Sequence, residues 1–437
     1  MFQPMKEELR KQKLIEIMKR EPVMTGIRLP FKGVDKEYSV YRIPLEYLVY
    51  NPYNGRIGTL VKTFEVKNHK LDAENSKDNE IIEQFLWDSK PDRNKKTLDS
   101  LVKMKQQQYG IVSGNGIIID GNRRASILNK IYREREKYKR YDVTHCQFFN
   151  AVILEEDVSQ REILQLETSY QMGMDEKLDY NPIEKYLKTR ELFDFNYQKD
   201  EIADMMGEKE ATIDNNMAIL KTMDGYLEYC GYENMYSLLE KREGQFVNLS
   251  SYENIYLKGS GFGKTNWAPD KKDVFDMIQI SYDYIRAKYE GKEFRYIAQN
   301  SKSNIPKSFF ANKALWDDFK KKHEDIRNVE EQEIDEYLSH YSDSSKITEI
   351  LNQRDNEWAK KVSHIMKRNM GQSIRTLEDI QEADKPLDLL QKAIKTLNTI
   401  DVDNPAFIDK DVLSLVEEIN KLTWDFKKEL KKGLKDK

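Results

Sequence analysis

The sequence predicts an α+β protein with a small mixed α/β core, then a helix-turn-helix domain and a mostly helical C-terminal half. Short apolar runs separated by Gly and Asn turns occupy residues 38–154, which is typical of strands. Helical periodicity begins near residue 159 and continues almost to the end. The chain has 437 residues, more than one hydrophobic core usually supports, so several domains are expected.

The composition is highly charged but balanced, with 72 basic and 76 acidic residues and a net charge of −4. This balance excludes a uniformly positive surface but leaves room for a local basic patch. Only Cys146 and Cys230 are available, too few for a disulfide framework, which favours a reducing compartment. The charged start lacks a signal peptide and no long apolar run occurs, so a cytoplasmic protein without a membrane span is expected.

The expected domain organisation has four parts. They are an N-terminal helical arm over residues 1–37, a core over 38–158, a helix-turn-helix domain over 159–240 and a helical domain over 241–437. Residues 58–96 are polar and irregular around one apolar patch, and we interpret them as an insertion in the core.

The junction between a strand and a helix is the first candidate site. Gly110-Ile111-Val112, a Gly/Asn turn and Ile117-Ile118-Ile119 predict a β-hairpin, followed directly by Asp120-Gly121-Asn122-Arg123-Arg124 and a helix. A helix N-terminus offers free N–H groups and attracts phosphate, and arginine forks suit phosphate oxygens. The alternative is an ordinary helix start whose arginines pair with nearby acids.

Three further motifs accompany this junction in order. Upstream, a strand leads into Asn51-Pro52-Tyr53-Asn54-Gly55-Arg56. Downstream, Leu178-Asp179-Tyr180-Asn181-Pro182-Ile183-Glu184 predicts a helix start, and residues 197–220 form a helix-turn-helix pattern broken at Gly207. Over residues 38–230 this series resembles the ParB-like proteins of the ParB/sulfiredoxin superfamily. Sulfiredoxin itself is the poorer match, because Asn122 stands where its cysteine would be.

The resemblance implies a nucleotide site, typically for CTP with Mg²⁺. Gly121, Asn122, Arg123 and Arg124 would then hold phosphates, and Arg56 would face the same pocket. Glu167 would help to hold the metal, and Glu167 and Asp120 are the candidate catalytic carboxylates if the protein is an enzyme. Asn122 replaces a usual Glu, and the residues after Glu167 depart from the family pattern, so nucleotide binding is better supported than hydrolysis.

The second helix of the helix-turn-helix pattern is the candidate DNA contact. We expect its accessible face to carry Lys209, Thr212, Asn215 and Asn216, side chains that can bind phosphates or base edges. Few cations accompany them, although DNA affinity comes largely from cations on phosphates. The alternative is a helix pair retained for packing or for contact with a partner.

Two features of the C-terminal half lead to predictions. The glycine-rich stretch Gly259–Thr265 lacks the spacing of a phosphate loop and is interpreted as a flexible loop. Near the end of the chain, apolar residues recur at spacings of three and four, a seam that suits packing against a partner helix: Val412, Leu415, Ile419, Leu422 and Phe426. The ParB resemblance implies that the protein forms a homodimer through this region.

The leading hypothesis is a ParB-like, nucleotide-responsive DNA-binding protein acting in partition, transcriptional control or anti-phage defence. One alternative is an enzyme of the same superfamily, an NTPase, phosphotransferase or nuclease. Another is a subunit of a larger defence assembly. The expected protein partner is accordingly a ParA-like ATPase or a defence subunit.

Overall fold

A five-stranded mixed sheet organises the first part of the chain in the computed structural model, which describes residues 5–31, 34–154, 158–172, 181–257, 265–301, 305–341 and 346–435. The strand order is β1-β2-β5-β3-β4, with β3 and β5 parallel and the other neighbours antiparallel. The strands are β1 (Met24–Phe31), β2 (Val34–Pro44), β3 (Gly110–Val112), β4 (Ile118–Asp120) and β5 (Phe148–Ile153).

Helices make up most of the remaining described chain. Those before residue 173 are α1 (Glu7–Met18), α2 (Gly58–Lys67), α3 (Ser76–Asp88), α4 (Pro91–Met104), α5 (Asn122–Arg133) and α6 (Gln160–Met172). The later ones are α7 (Pro182–Asp194), α8 (Lys199–Met206), α9 (Glu210–Cys230), α10 (Glu243–Leu257), α11 (Lys271–Arg286), α12 (Gly291–Ala298), α13 (Lys313–Arg327), α14 (Ile334–Ser339), α15 (Ile347–Leu397) and α16 (Lys410–Gly433). The predicted α+β class, with a small mixed core and a helical remainder, is confirmed.

The predicted hairpin is confirmed as β3 and β4, in which Ile111 lies opposite Asp120 and Val112 opposite Ile118. Alternate residues of these strands point to opposite faces. Val112 and Ile118 pack into the core under α2–α5, whereas Ile111 and Ile119 pack on the face covered by α6. The sheet is therefore buried on both faces, which fixes the position of the loop that follows Asp120.

The N-terminal arm expected over residues 1–37 is corrected by the structure. Its helix exists as α1, but Met24–Phe31 forms an edge strand paired with β2. The helix packs on the core through Arg10, which is 1% exposed and donates to the Asn115 carbonyl oxygen at 2.9 Å. The Arg10 side chain also pairs with Glu74 at 2.6 Å. The charge pattern of α1 concealed this buried arginine.

The expectation that residues 58–96 are irregular is wrong, because they form α2, α3 and the start of α4. Apolar side chains at helical spacing, including Phe64, Ile82 and Leu86, lie in the core with the sheet. The buried acid Glu83 accepts a hydrogen bond from Asn129 Nδ2 of α5 at 2.8 Å. Buried polar groups within α3 hid its amphipathic pattern in the sequence.

One large hydrophobic cluster runs from Ile183 to Leu377, on both sides of the boundary expected near residue 240. Its largest fully buried side chain is Trp316. Beyond this cluster, the apolar seam of α16 is open in the single chain, with Leu415 59% and Phe426 52% exposed. Within the described residues, no helix combines the length and apolarity needed to cross a bilayer. The segments 178–180 and 259–264, which belong to two sequence motifs, lie outside the described residues.

Candidate functional site

A cavity of ≈ 320 Å³ lies between the loops of the sheet domain and the following helices. It is bounded by five short segments that are far apart in the sequence. Its lining residues are Gly55, Arg56, Thr59, Leu60, Ser89, Lys90, Arg123, Asn181, Pro182, Glu240 and Lys241.

Helices α2, α4, α5 and α7 all begin at this cavity. Lys90 is the N-cap of α4, Asn181 is the N-cap of α7, and Arg123 lies in the first turn of α5. Each helix N-terminus carries partial positive charge and N–H groups without intrahelical partners. Their convergence makes the cavity electrostatically favourable for an anion.

Charged side chains reinforce this potential. Arg56, Lys90, Arg123 and Lys241 line the cavity, and Glu240 is the single acid among the described lining residues. Burial, then the neighbouring Arg56, Arg93 and Arg124, lowers the pKa of Arg123 to about 10, although Asp120 acts in the opposite direction. Because adjacent cations destabilise one another's charged forms, a group with several negative charges would be stabilised here.

The pKa of Lys90 is lowered by the same environment. Burial is the largest cause, followed by the positive charges of Arg93, Arg56 and Arg123. Lys90 and Arg123 belong to the starts of different helices. Their charges therefore repel each other because both side chains line the same cavity, and not because the residues are close in the sequence.

Gly121 makes the turn from β4 into α5 feasible. Its φ is +98°, in the left-handed region that favours glycine. A Cβ at this position would lie 2.6 Å from Cζ of Phe149 in β5. The glycine is therefore required both by the backbone conformation and by close packing against the sheet.

The side chain of Asn122 has a different role from the expected contact with phosphate. It is 2% exposed; its Oδ1 accepts from the Asn51 N–H at 2.9 Å, and its Nδ2 donates to the Ile118 carbonyl oxygen at 2.8 Å. These bonds hold the Asn51–Arg56 turn against the start of α5. Asn122 thus positions Arg56 and Arg123 relative to each other.

Arg124 does not line the cavity, in contrast to Arg123. Its guanidinium donates to the Tyr109 carbonyl oxygen at 3.3 Å and to Gln108 Oε1 at 2.9 Å, on the β3 side of the loop. Burial lowers its pKa, and Asp120 partly offsets the effect. Of the Asp120–Arg124 motif, Arg123 is the residue that the structure brings to the cavity.

Glu167 of α6 is 1% exposed, and hydrogen bonds occupy both of its carboxylate oxygens. Oε1 accepts from Asn54 Nδ2 at 2.8 Å and from the Gly55 N–H at 3.1 Å, while Oε2 faces Lys188 Nζ at 3.3 Å. Burial raises the pKa of this carboxyl despite the Lys188 charge. Glu167 therefore fixes the turn that carries Arg56. The Lys188 ammonium group lies where a metal ion bound by Glu167 would have to approach.

Asp120, the other candidate carboxylate, is 8% exposed at the end of β4. Its charge acts on Arg123 and Arg124. Across the described parts of the chain, no group of three or more His, Cys, Asp or Glu side chains is arranged to hold a metal ion.

Glu184 links α7 to the cavity wall, a role that sequence reasoning did not assign. Its Oε1 accepts from the Thr59 N–H at 2.8 Å, at the N-terminus of α2. Burial is the largest cause that raises the pKa of Glu184 to about 7, opposed by the Thr59 hydrogen bonds and Lys188 and assisted by Glu240. The Asn-Pro-x-Glu helix start was the available sequence signal.

The predicted pair of helices in the helix-turn-helix pattern is present as α8 and α9, joined at Gly207 with φ +65°. Lys209 and Asn215 are exposed and Thr212 is half-buried. The expectation for Asn216 is wrong: it is 3% exposed and donates to Thr189 Oγ1 at 3.3 Å. Asn216 lies three residues after the buried Ile213 and three before the buried Ile219, on the core face of α9.

Cations beside α9 are already neutralised within the chain. Lys199 lies 3.2 Å from Asp214 and 3.5 Å from Glu210, and Lys185 pairs with Glu208. This leaves Lys209 as the exposed cation at the start of the helix among the candidate DNA contacts.

Lys90 and Lys241 are the lining cations that sequence reasoning missed. Lys90 precedes Pro91, a helix-start signal without functional content. Lys241 has φ +67°, and nothing in the local sequence marks its approach to the sheet domain. Only tertiary packing brings these residues to Arg56 and Arg123.

No family model and no curated protein matches the sequence. Among solved structures, a similar chain is the C-terminally truncated chromosome-partitioning protein ParB from Caulobacter crescentus, complexed with CTP-gamma-S. It is 14% identical with a TM-score of 0.18, and the match covers 48% of this chain and 92% of that chain.

Gly121→Ala should destabilise the protein by about 2–4 kcal/mol, because the new Cβ meets both a left-handed backbone and the Phe149 ring. Gly371→Ala is the matched control, since a Cβ there meets nothing within 4 Å and alanine favours the interior of α15. Urea unfolding followed by circular dichroism measures both. Equal stability of the two variants would show that Gly121 is not constrained.

Glu184→Gln should change the pH dependence of stability. The folded-state pKa is raised from 4.5 to about 7, so this group's stabilising contribution is full below pH 4.5 and is lost as pH rises through 7. Glutamine stays neutral and can keep the bond from the Thr59 N–H. The variant should match the wild type near about pH 5 and exceed it by on the order of 2 kcal/mol near about pH 8.

Thermal and urea unfolding across this pH range test the effect of Glu184. Parallel stability profiles for wild type and variant, with no divergence above neutral pH, would contradict it.

Proposed function

We propose that the cavity binds a nucleoside triphosphate, with CTP favoured, and that the protein is a nucleotide-responsive DNA-binding protein. The observation that carries this proposal is the convergence of Arg56 and Arg123 on one cavity among four helix N-termini. The two arginines come from the turn after β2 and from the first turn of α5, which belong to two of the motifs on which the resemblance to ParB-like proteins is based.

The cavity offers groups for each part of a nucleotide. Arginine forks donate paired hydrogen bonds to phosphate oxygens, and the first N–H groups of α5 add further donors. Leu60 and Pro182 supply apolar surface against which a base or ribose would pack. The volume of ≈ 320 Å³ falls at the lower end of the range typical of small-molecule sites.

Ligand binding at this position would affect more than the sheet domain. Arg56 and Arg123 belong to that domain, whereas Asn181 and Pro182 begin α7, which leads directly to α8 and α9. A ligand that contacts both sides stabilises the arrangement in which both can reach it. Nucleotide binding would in this way influence how the α8–α9 pair is presented.

The nucleotide proposal predicts binding of CTP, compared with ATP and GTP, by isothermal titration calorimetry. Arg56→Ala or Arg123→Ala should weaken affinity about tenfold or more, since each removes a charge-assisted contact of about 1.5–3 kcal/mol. Arg140→Ala, at an exposed residue that does not line the cavity, is the control and should bind like the wild type. No binding of any nucleotide, or equal affinity of all variants, would refute the proposal.

The proposed DNA contact uses the exposed start of α9. Lys209 would bind a phosphate, and Asn215 and Thr212 would face base edges. Because Lys199 and Lys185 are paired internally, few phosphates would be neutralised at this surface. Affinity should consequently depend on salt, but with a modest slope.

DNA binding is tested on a sequence selected by the protein from a random pool, with and without CTP. Lys209→Ala should weaken binding and reduce the salt slope by about 1, whereas Asn215→Ala should cost about 1–3 kcal/mol on the selected site. Lys272→Ala, an exposed lysine at the start of α11, provides the control. Salt-independent binding, or identical behaviour of Lys209→Ala and the control, would exclude this surface.

A further inference from the structure

We propose that the cavity binds its nucleotide without a divalent metal ion, using Lys90 and Lys241 together with Arg56 and Arg123 to neutralise the phosphates. This inference rests on the proposed nucleotide binding and concerns how the ligand's charge is balanced. It assigns ligand-binding roles to two lysines outside the strand–loop–helix motif.

Mg²⁺ usually reaches a nucleotide through phosphates and one or two protein carboxylates. Among the described residues, the carboxylates around this cavity are engaged elsewhere or accompanied by cations. Glu167 accepts from Asn54 and Gly55 and faces Lys188 at 3.3 Å. Glu167, the residue that the resemblance implies for the metal, therefore does not fit that role.

Asp120, Glu184 and Glu240 do not replace Glu167. Asp120 is 8% exposed and acts electrostatically on Arg123 and Arg124. Glu184 is buried and accepts from the Thr59 N–H at 2.8 Å. Glu240 lines the cavity next to Lys241, so a metal at Glu240 would meet a neighbouring ammonium group.

The cations, by contrast, surround the cavity from several elements. Arg56 precedes α2, Lys90 caps α4, Arg123 lies in the first turn of α5, and Lys241 lies just before α10. Four positive side chains against one lining acid produce the neutralisation that a divalent ion would otherwise supply. The lowered pKa of Lys90 agrees with this excess of positive charge.

Lys241 is held at the cavity by its surroundings. Its φ of +67° is uncommon for a residue with a Cβ and persists where packing determines the backbone. The next residue, Arg242, is buried and donates to the Tyr226 hydroxyl at 2.9 Å and to Asn352 Oδ1 at 3.3 Å. The helical domain thus anchors one cation at a cavity whose other wall belongs to the sheet domain.

The test is calorimetric titration of the full-length protein with CTP, ATP and GTP, once with Mg²⁺ and once with excess EDTA. For the nucleotide that binds, the dissociation constants in the two media should agree within about threefold. A loss of more than about threefold in EDTA would overturn metal-independent binding. Failure of every nucleotide in both media would instead refute the underlying proposal of a nucleotide site.

Variants assign the roles of the lysines in the same EDTA medium. Lys90→Ala and Lys241→Ala should each weaken binding about tenfold, while Lys96→Ala, an exposed lysine of α4, should not. Lys241→Arg keeps the charge and should restore most of the affinity. If both alanine variants bind as Lys96→Ala does, with unchanged circular dichroism, the assignment of Lys90 and Lys241 is wrong.

Discussion

The side-chain amide of Asn122 is the interaction on which the geometry of the cavity depends. It accepts from the Asn51 N–H and donates to the Ile118 carbonyl oxygen, both within the buried core. A buried amide is favourable only when its donors and acceptors are satisfied, so this arrangement specifies one relative position of the two loops. Arg56 and Arg123 converge because these loops cannot move independently.

Glu167 adds a second restraint to the same turn, from α6. Its partners Asn54, Gly55 and Lys188 join the sheet domain to α7 through one buried carboxylate. Removing one partner of such a group is costly because the remaining charge stays buried. The residues with the greatest influence on the cavity are thus buried positioning groups behind its wall, and the positions of the lining cations depend on them.

Much of the core could be predicted from the sequence because its signals are local. The Gly/Asn turn between apolar runs predicted β3 and β4, and the strand–Gly–helix junction predicted the start of α5. The edge strand β1, helices α2 and α3 and the start of α4 were missed. In α3 the buried polar residues Asp78 and Glu83 break the apolar pattern. Their stabilisation depends on partners distant in sequence.

The site was predictable to a similar degree. Arg56 and Arg123 followed from motifs, but Lys90 and Lys241 reach the cavity only through tertiary packing. Asn216 was misplaced because a polar residue on a helix was assumed to face solvent, whereas Thr189 provides a buried partner for its amide. Side-chain hydrogen bonds formed across elements cannot be inferred from periodicity alone.

Clustering cations at one cavity has an energetic consequence for the whole chain. Repulsion among Arg56, Lys90 and Arg123 opposes folding, and it is strongest where burial reduces screening by water. A polyanionic ligand bound there would convert this repulsion into attraction, so that binding and stability would be linked. Because α7 and Lys241 supply part of the wall, that linkage would extend to the helical domain. Such a ligand would therefore influence helices that it does not contact.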